Sequence, residues 1–204
     1  MAELLGDDPN LNSEQREYIN SIQLSAKALL TIVNDILDFS KIESGRLDIE
    51  EVPFNLASIL AELCKLLSMF AQQKGLEFIY ENSMDEDLEV LGDPGRTRQV
   101  LSNLLTNALK FTQEGMVKLV VSSKAVGVVI IDEDVVERIE VEFCIEDTGI
   151  GIEKDVLEKL FKPFSQGDAS TARLYGGTGL GLTISKNVSP LFTSFCYPIS
   201  QRSC

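Results

Sequence analysis

The chain has 204 residues, 44% of them hydrophobic and 25% charged, which suits one folded domain, alone or with a helical appendage. Its formal net charge of −14 argues against nucleic acid and against an anionic membrane surface as partners, because both need basic patches. The total absence of histidine excludes any Ser-His or Cys-His nucleophile, and four widely spaced cysteines with no Cys-x-x-Cys pair speak against zinc and for reduced thiols in a cytoplasmic setting.

Residues 12–44 are expected to form one long helix, with Asn12 and Gln15 as a capping box and Gly45 as the stop. Tyr18, Ile22, Ser25, Leu29, Ile32, Ile36 and Phe39 alternate spacings of four and three, which is a heptad seam. Ala26, Val33 and Leu37 widen it to the stripe a bundle helix needs. One helix cannot bury such a stripe, so the seam asks for a second copy of the chain; packing on the rest of this chain is the alternative. Residues 1–5 read as the tail end of a preceding helix of the same hairpin. No apolar run approaches the ~20 residues that cross a bilayer, and the N-terminal sequence is not a signal peptide, so any membrane anchor is expected upstream.

Residues 46–53 form a connector. Residues 54–73 have helical periodicity, with Leu56, Ile59, Leu60, Leu63, Leu66, Leu67 and Phe70 on the apolar face and Lys74-Gly75 as the stop. Strands are expected at 76–80 and 88–91, with polar loop between. The stretch 93–112, DPGRTRQVLSNLLTNALKFT, follows as a helix of about five turns, with Asp93 as N-cap and Pro94 at the first helical position. Leu101, Leu104, Leu105, Ala108 and Leu109 share one arc, and Arg96, Asn103, Asn107 and Lys110 share the opposite one. Asparagine is a poor helix-interior residue because its side chain competes for the backbone. Two of them one turn apart, with a lysine one turn beyond, suit a magnesium–phosphate ligand; a solvated polar face is the plain alternative.

Strands at 117–122 and 126–131, a turn at 132–134 and a strand at 138–146 come next. In the last, Ile139, Val141, Phe143 and Ile145 point one way and the intervening residues the other, as in a sheet with one wet face. The order of elements gives an α+β fold: a long helix followed by a two-layer α/β sandwich, with helices on one face of a mixed sheet.

Two glycine-rich stretches follow. In Glu146-Asp147-Thr148-Gly149-Ile150-Gly151, the glycines permit sharp turns or close approach to a ligand, and Asp147 can accept a hydrogen bond from an exocyclic amine. A plain Asp-Thr-Gly turn is the alternative. The second, Gly176-Gly177-Thr178-Gly179-Leu180-Gly181-Leu182, runs into a helix and offers N–H groups to an anion. It is neither a Walker A loop nor a dinucleotide fingerprint. Phe161-Lys-Pro-Phe164 and the small polar run 165–173 between the two stretches suggest a lid.

In this order, Asn-x-x-x-Asn-x-x-Lys-Phe, Asp-x-Gly-x-Gly, Phe-x-x-Phe and Gly-Gly-x-Gly-x-Gly resemble the ATP-binding domain of sensor histidine kinases. That is the Bergerat-type fold shared with Hsp90, MutL and type II topoisomerases. The ending Asp38-Phe-Ser-Lys-Ile-Glu-Ser-Gly45 resembles the second dimerisation helix of hybrid kinases. The resemblance implies a partial dimerisation hairpin at 1–45, an ATP-binding domain at 54–186 and cofactors ATP and Mg²⁺. It implies Asn103 and Lys110 as catalytic residues, Asn107 as the Mg²⁺ ligand and Lys110 also on phosphate. Phe111 would line the site, Asp147 would bind the adenine amino group, and Gly149 and Gly151 would shape that wall. Phe161 and Phe164 would hinge the lid, and Gly177, Thr178, Gly179, Leu180, Gly181 and Leu182 would wrap the phosphates. The family reaction carries the ATP γ-phosphoryl to a histidine and onward to an aspartate of a receiver domain, so the implied partners are a second copy of the chain, a histidine-containing dimerisation domain and a receiver.

Two departures stand against the family pattern. The phosphate-accepting histidine is missing, so autophosphorylation on histidine is not open to these 204 residues and activity is expected only in trans. Residues 187–204 read as a non-family tail, so the sheet is expected to lack its last strands. The strand at 138–146 would then keep an open edge, with marginal stability and weak ATP binding as the consequence.

Overall fold

A computed structural model describes residues 11–131, 134–157, 160, 161, 163, 179–188 and 195–198. The chain divides into two compact units, Met1–Leu47 and Asp48–Cys204.

The first unit carries helix α1 (Ser13–Glu43). Its start is set by the expected capping box: the Asn12 side chain accepts from the Gln15 N–H at 2.8 Å, and the Gln15 carboxamide accepts from the Asn12 N–H at 3.0 Å. Two orphan donors of the first turn are thereby satisfied. Seam residues Tyr18, Ile22, Leu29, Ile32 and Ile36 are all exposed, Leu29 by 62%. The Tyr18 hydroxyl donates to Glu14, and this bond raises its pKa above the ordinary value.

The second unit begins with strand β1 (Val52–Asn55), which pairs antiparallel with β3 (Glu89–Gly92) in a small two-stranded sheet. The connector expected at 46–53 therefore ends in a strand, and helix α2 (Leu56–Lys74) starts two residues later than its periodicity suggested. Its N-cap is Asn55, whose side chain accepts from the Ser58 N–H at 2.7 Å. Leu66 and Phe70 were assigned to the apolar face but are 53% and 50% exposed. The buried face of α2 is Leu56, Ile59, Leu60, Leu63, Cys64, Leu67 and Ala71.

The main sheet has the order β2-β4-β5-β6. Strand β2 (Glu77–Asn82) runs parallel to β4 (Met116–Ile131), which pairs antiparallel with β5 (Asp134–Asp147). The strands expected at 117–122 and 126–131 are one continuous strand, with a register shift between Ala125 and Gly127. Strand β6 (Phe195–Pro198) pairs antiparallel with Val136–Ile139. The open edge expected along 138–146 is thus covered at Arg138 and Ile139, where this short strand pairs.

Helix α3 (Pro94–Phe111) has the expected cap: Asp93 Oδ1 accepts from the Arg96 N–H at 2.9 Å, and Pro94 opens the helix. Its Leu101, Leu105, Ala108 and Leu109 join α2 and the inward residues Val117, Leu119 and Val121 of β4 in one core. The opposite sheet face is charged. There Lys118 pairs with Glu81 and Lys124 with Glu140, each at 2.8 Å, exposed contacts worth little to stability. A single helical turn, α4 (Lys154–Leu157), and helix α5 (Gly181–Val188) complete the described elements. Among the described residues, no helix is long and apolar enough to cross a membrane.

Candidate functional site

Helix α3 places the candidate polar residues. Asn103, Asn107, Lys110 and Phe111 are all half-buried, and the first three lie on the side away from the leucine arc. Asn103 Nδ2 donates to the Ser185 hydroxyl of α5 at 3.0 Å, and Asn107 Nδ2 reaches Asn103 Oδ1 at 3.4 Å. Burial lowers the Lys110 pKa below the ordinary lysine value, and its ammonium lies 5.1 Å from the centre of the Phe111 ring. Desolvation disfavours the charged form of a lysine, and a phosphate brought beside it favours that form.

The first glycine stretch docks on the C-terminal end of α3. The Phe111 carbonyl accepts from the Ile150 N–H at 3.3 Å. Asp147, exposed at the end of β5, uses Oδ1 to accept from the Gly149 N–H at 2.9 Å. A Cβ on Gly149 would lie 2.6 Å from the Phe111 carbonyl oxygen, so this turn closes only around glycine. Thr148 braces the same turn: its hydroxyl accepts from the Met116 N–H at 2.9 Å and donates to the Glu114 carbonyl at 3.1 Å.

The second stretch meets the middle of α3. Leu180 is fully buried, and Gly179 has φ of 69°. Gly181 opens α5 directly against Asn103, and a Cβ there would lie 2.8 Å from the Asn103 Cγ and closer still to its Oδ1. Phe161 is joined to α5 twice: its carbonyl accepts from the Thr183 hydroxyl at 3.2 Å, and the Lys186 ammonium lies 5.1 Å from its ring centre. Leu182 is half-buried and Gly151 exposed, with φ of 68°. Phe164, Gly177 and Thr178 lie outside the described residues.

The structure therefore brings the first glycine stretch and residues 179–182 of the second onto one helix. Sequence reasoning missed three residues that hold this arrangement. Ser185 and Thr148 sat inside motifs but had no assigned partner. Lys74 was read only as a helix stop, yet its ammonium donates to the Leu109 carbonyl at 2.6 Å and reaches those of Lys110 and Thr112, neutralising the negative end of α3.

These residues fit a magnesium–nucleotide ligand. With Asn107 Nδ2 turned to Asn103, the carboxamide oxygen is the end turned away, and oxygen is the donor that Mg²⁺ takes. Among the described residues, no group of three or more Asp, Glu, Cys or His side chains could hold a metal by itself. Phosphate oxygens and water would complete the shell.

A long capped helix followed by a mixed sheet with helices on one face defines the class of fold: a helical segment ahead of a two-layer α/β domain. The model of the histidine kinase-, DNA gyrase B- and HSP90-like ATPase family matches residues 92–194, and that of the His Kinase A (phospho-acceptor) domain matches residues 1–45. The chain belongs to this ATPase family and carries the domain pair of sensor histidine kinases. Signal transduction histidine-protein kinase BarA of Escherichia coli (strain K12) is 42% identical over 178 residues, taking in 87% of this chain and 18% of its own length. Autoinducer 2 sensor kinase/phosphatase LuxQ of Vibrio parahaemolyticus is 42% identical over 202 residues, 99% of this chain and 23% of its own. The chain thus spans less than a quarter of either curated relative. Among solved structures, full-length ShkA in complex with AMPPNP matches with a TM-score of 0.64 and 33% identity, over 93% of this chain and 36% of that one. The histidine kinase AdeS of Acinetobacter baumannii, 17% identical with a TM-score of 0.57, covers 97% of this chain and 90% of its own, a likeness of fold.

Proposed function

We propose that the chain is the ATP-binding catalytic portion of a two-component phosphorelay sensor histidine kinase. It would transfer the γ-phosphoryl of ATP to a histidine that these 204 residues do not contain. The observation that carries this reading is the docking of the first glycine stretch and residues 179–182 of the second on the helix that bears Asn103, Asn107 and Lys110. Asn107 holds Mg²⁺, which supplies charge neutralisation on the phosphates. Lys110 pairs with phosphate, and Asn103 orients the attacking group. Asp147 receives the adenine amino group on the oxygen not taken up by Gly149, while Gly149 and Gly151 form the wall beside it. Phe111 lines the site. Phe161 and Phe164 hinge a lid, and the run Gly177, Thr178, Gly179, Leu180, Gly181 and Leu182 wraps the phosphates with backbone N–H groups. Catalysis of this kind is positioning and charge stabilisation, with little covalent chemistry for the protein to do.

The exposed seam of α1 supports a homodimer through residues 12–44, with a receiver domain as the downstream partner. Domain limits of 1–45, 46–53, 54–186 and 187–204 belong to the same proposal. A second reading, a dimerising or regulatory module without phosphate transfer, also fits the exposed seam of α1. Incubation with Mg-ATP labelled at the γ position, with and without an added histidine-containing dimerisation domain, separates the two. Label on the added domain is the expected result. Nucleotide binding without any transfer would favour the module.

A further inference from the structure

We infer that Ser185 is a positioning residue for Asn107, acting through Asn103; this rests on the reading of Asn107 as the magnesium ligand. Ser185 lies on α5, 6% exposed, and is separated from Asn103 by 82 positions in sequence. Its hydroxyl accepts from Asn103 Nδ2 at 3.0 Å. A carboxamide has one donor end and one acceptor end, so fixing the nitrogen of Asn103 on α5 also fixes its oxygen. That oxygen receives Asn107 Nδ2 at 3.4 Å. Holding the nitrogen of Asn107 in this way sets which end of its carboxamide is presented to a metal. Gly181 belongs to the same device, because any Cβ there would displace the Asn103 carboxamide from between the helices. Through Ser185, the helix that closes the second glycine stretch sets the rotamer of a residue on another helix.

The test is calorimetric titration of the full chain with AMPPNP, once with Mg²⁺ and once with EDTA. Ser185→Ala is expected to weaken the magnesium-dependent affinity about fivefold, the scale of one lost hydrogen bond. Its affinity in EDTA should stay within about twofold of the parent, which also reports an intact pocket. Ser185→Thr keeps the hydroxyl and should retain the magnesium dependence. In an Asn107→Ala background, Ser185→Ala should have no further effect, as a double-mutant cycle requires of a residue acting through Asn107. An unchanged magnesium-dependent affinity, an equal loss in Mg²⁺ and EDTA, or additive losses in the cycle would overturn the inference. A parent chain that binds AMPPNP no better with Mg²⁺ than with EDTA would instead overturn the reading of Asn107, and the inference with it.

Discussion

The two glycine turns meet the same helix by different means. The first is fastened through backbone: Phe111 carbonyl to Ile150 N–H, with Thr148 and Asp147 bracing the chain on either side. The second is fastened through side chains, Asn103 lying in the notch of Gly181 and reaching Ser185. Backbone contacts have no alternative rotamer, whereas a carboxamide can turn about its side-chain torsions. In our account the adenine end of the site is therefore pre-formed. The phosphate end is held by side-chain contacts, which a substitution can shift without moving the backbone of α3.

Substitutions that add one methyl group to each turn separate these two modes. Gly149→Ala should have the largest effect, because the new Cβ meets a carbonyl oxygen that can move only with the end of α3. Urea unfolding should show a loss of about 2–3 kcal/mol, with AMPPNP binding lost. Gly181→Ala meets the far end of the Asn103 side chain, which can rotate away, and alanine is the better helix former. Its stability loss should be about 1 kcal/mol or less, while magnesium-dependent nucleotide affinity falls about tenfold. Equal stability losses at the two glycines would remove the distinction. Thr148→Val, which deletes the hydroxyl brace but keeps the shape, should cost the least, about 0.5–1 kcal/mol. It should weaken AMPPNP equally with and without Mg²⁺, because it acts at the adenine end.

The legible parts of the fold were those decided by local chemistry. The Asn12–Gln15 box, the Asp93 cap and Pro94 each involve residues within one turn, and each stands where the sequence put it. The polar face of α3 followed from helical spacing alone. What escaped was set by partners far along the chain. Val52–Asn55 holds a proline and no alternation, and it becomes a strand only because Glu89–Gly92 offers an edge. Leu66 and Phe70 fit the helical period of α2, but the face it buries is turned towards Cys64 and Ala71 and leaves both exposed. Residues 123–125 looked like a break between two strands, and the long ladder with β5 runs through them, with its register shift between Ala125 and Gly127. Ser185 and Lys74 carry no local signal for their contacts with α3, since each depends on how two helices pack.

The most direct measurement is the affinity of the full chain for Mg-AMPPNP, compared with Asn107→Ala and Lys110→Met. The account predicts saturable binding by the parent chain, a loss of the magnesium-dependent part in Asn107→Ala, and a fall of about tenfold in Lys110→Met from the missing charge-assisted contact. Binding that neither substitution weakens would contradict it, because those side chains would then face something other than the metal and the phosphates.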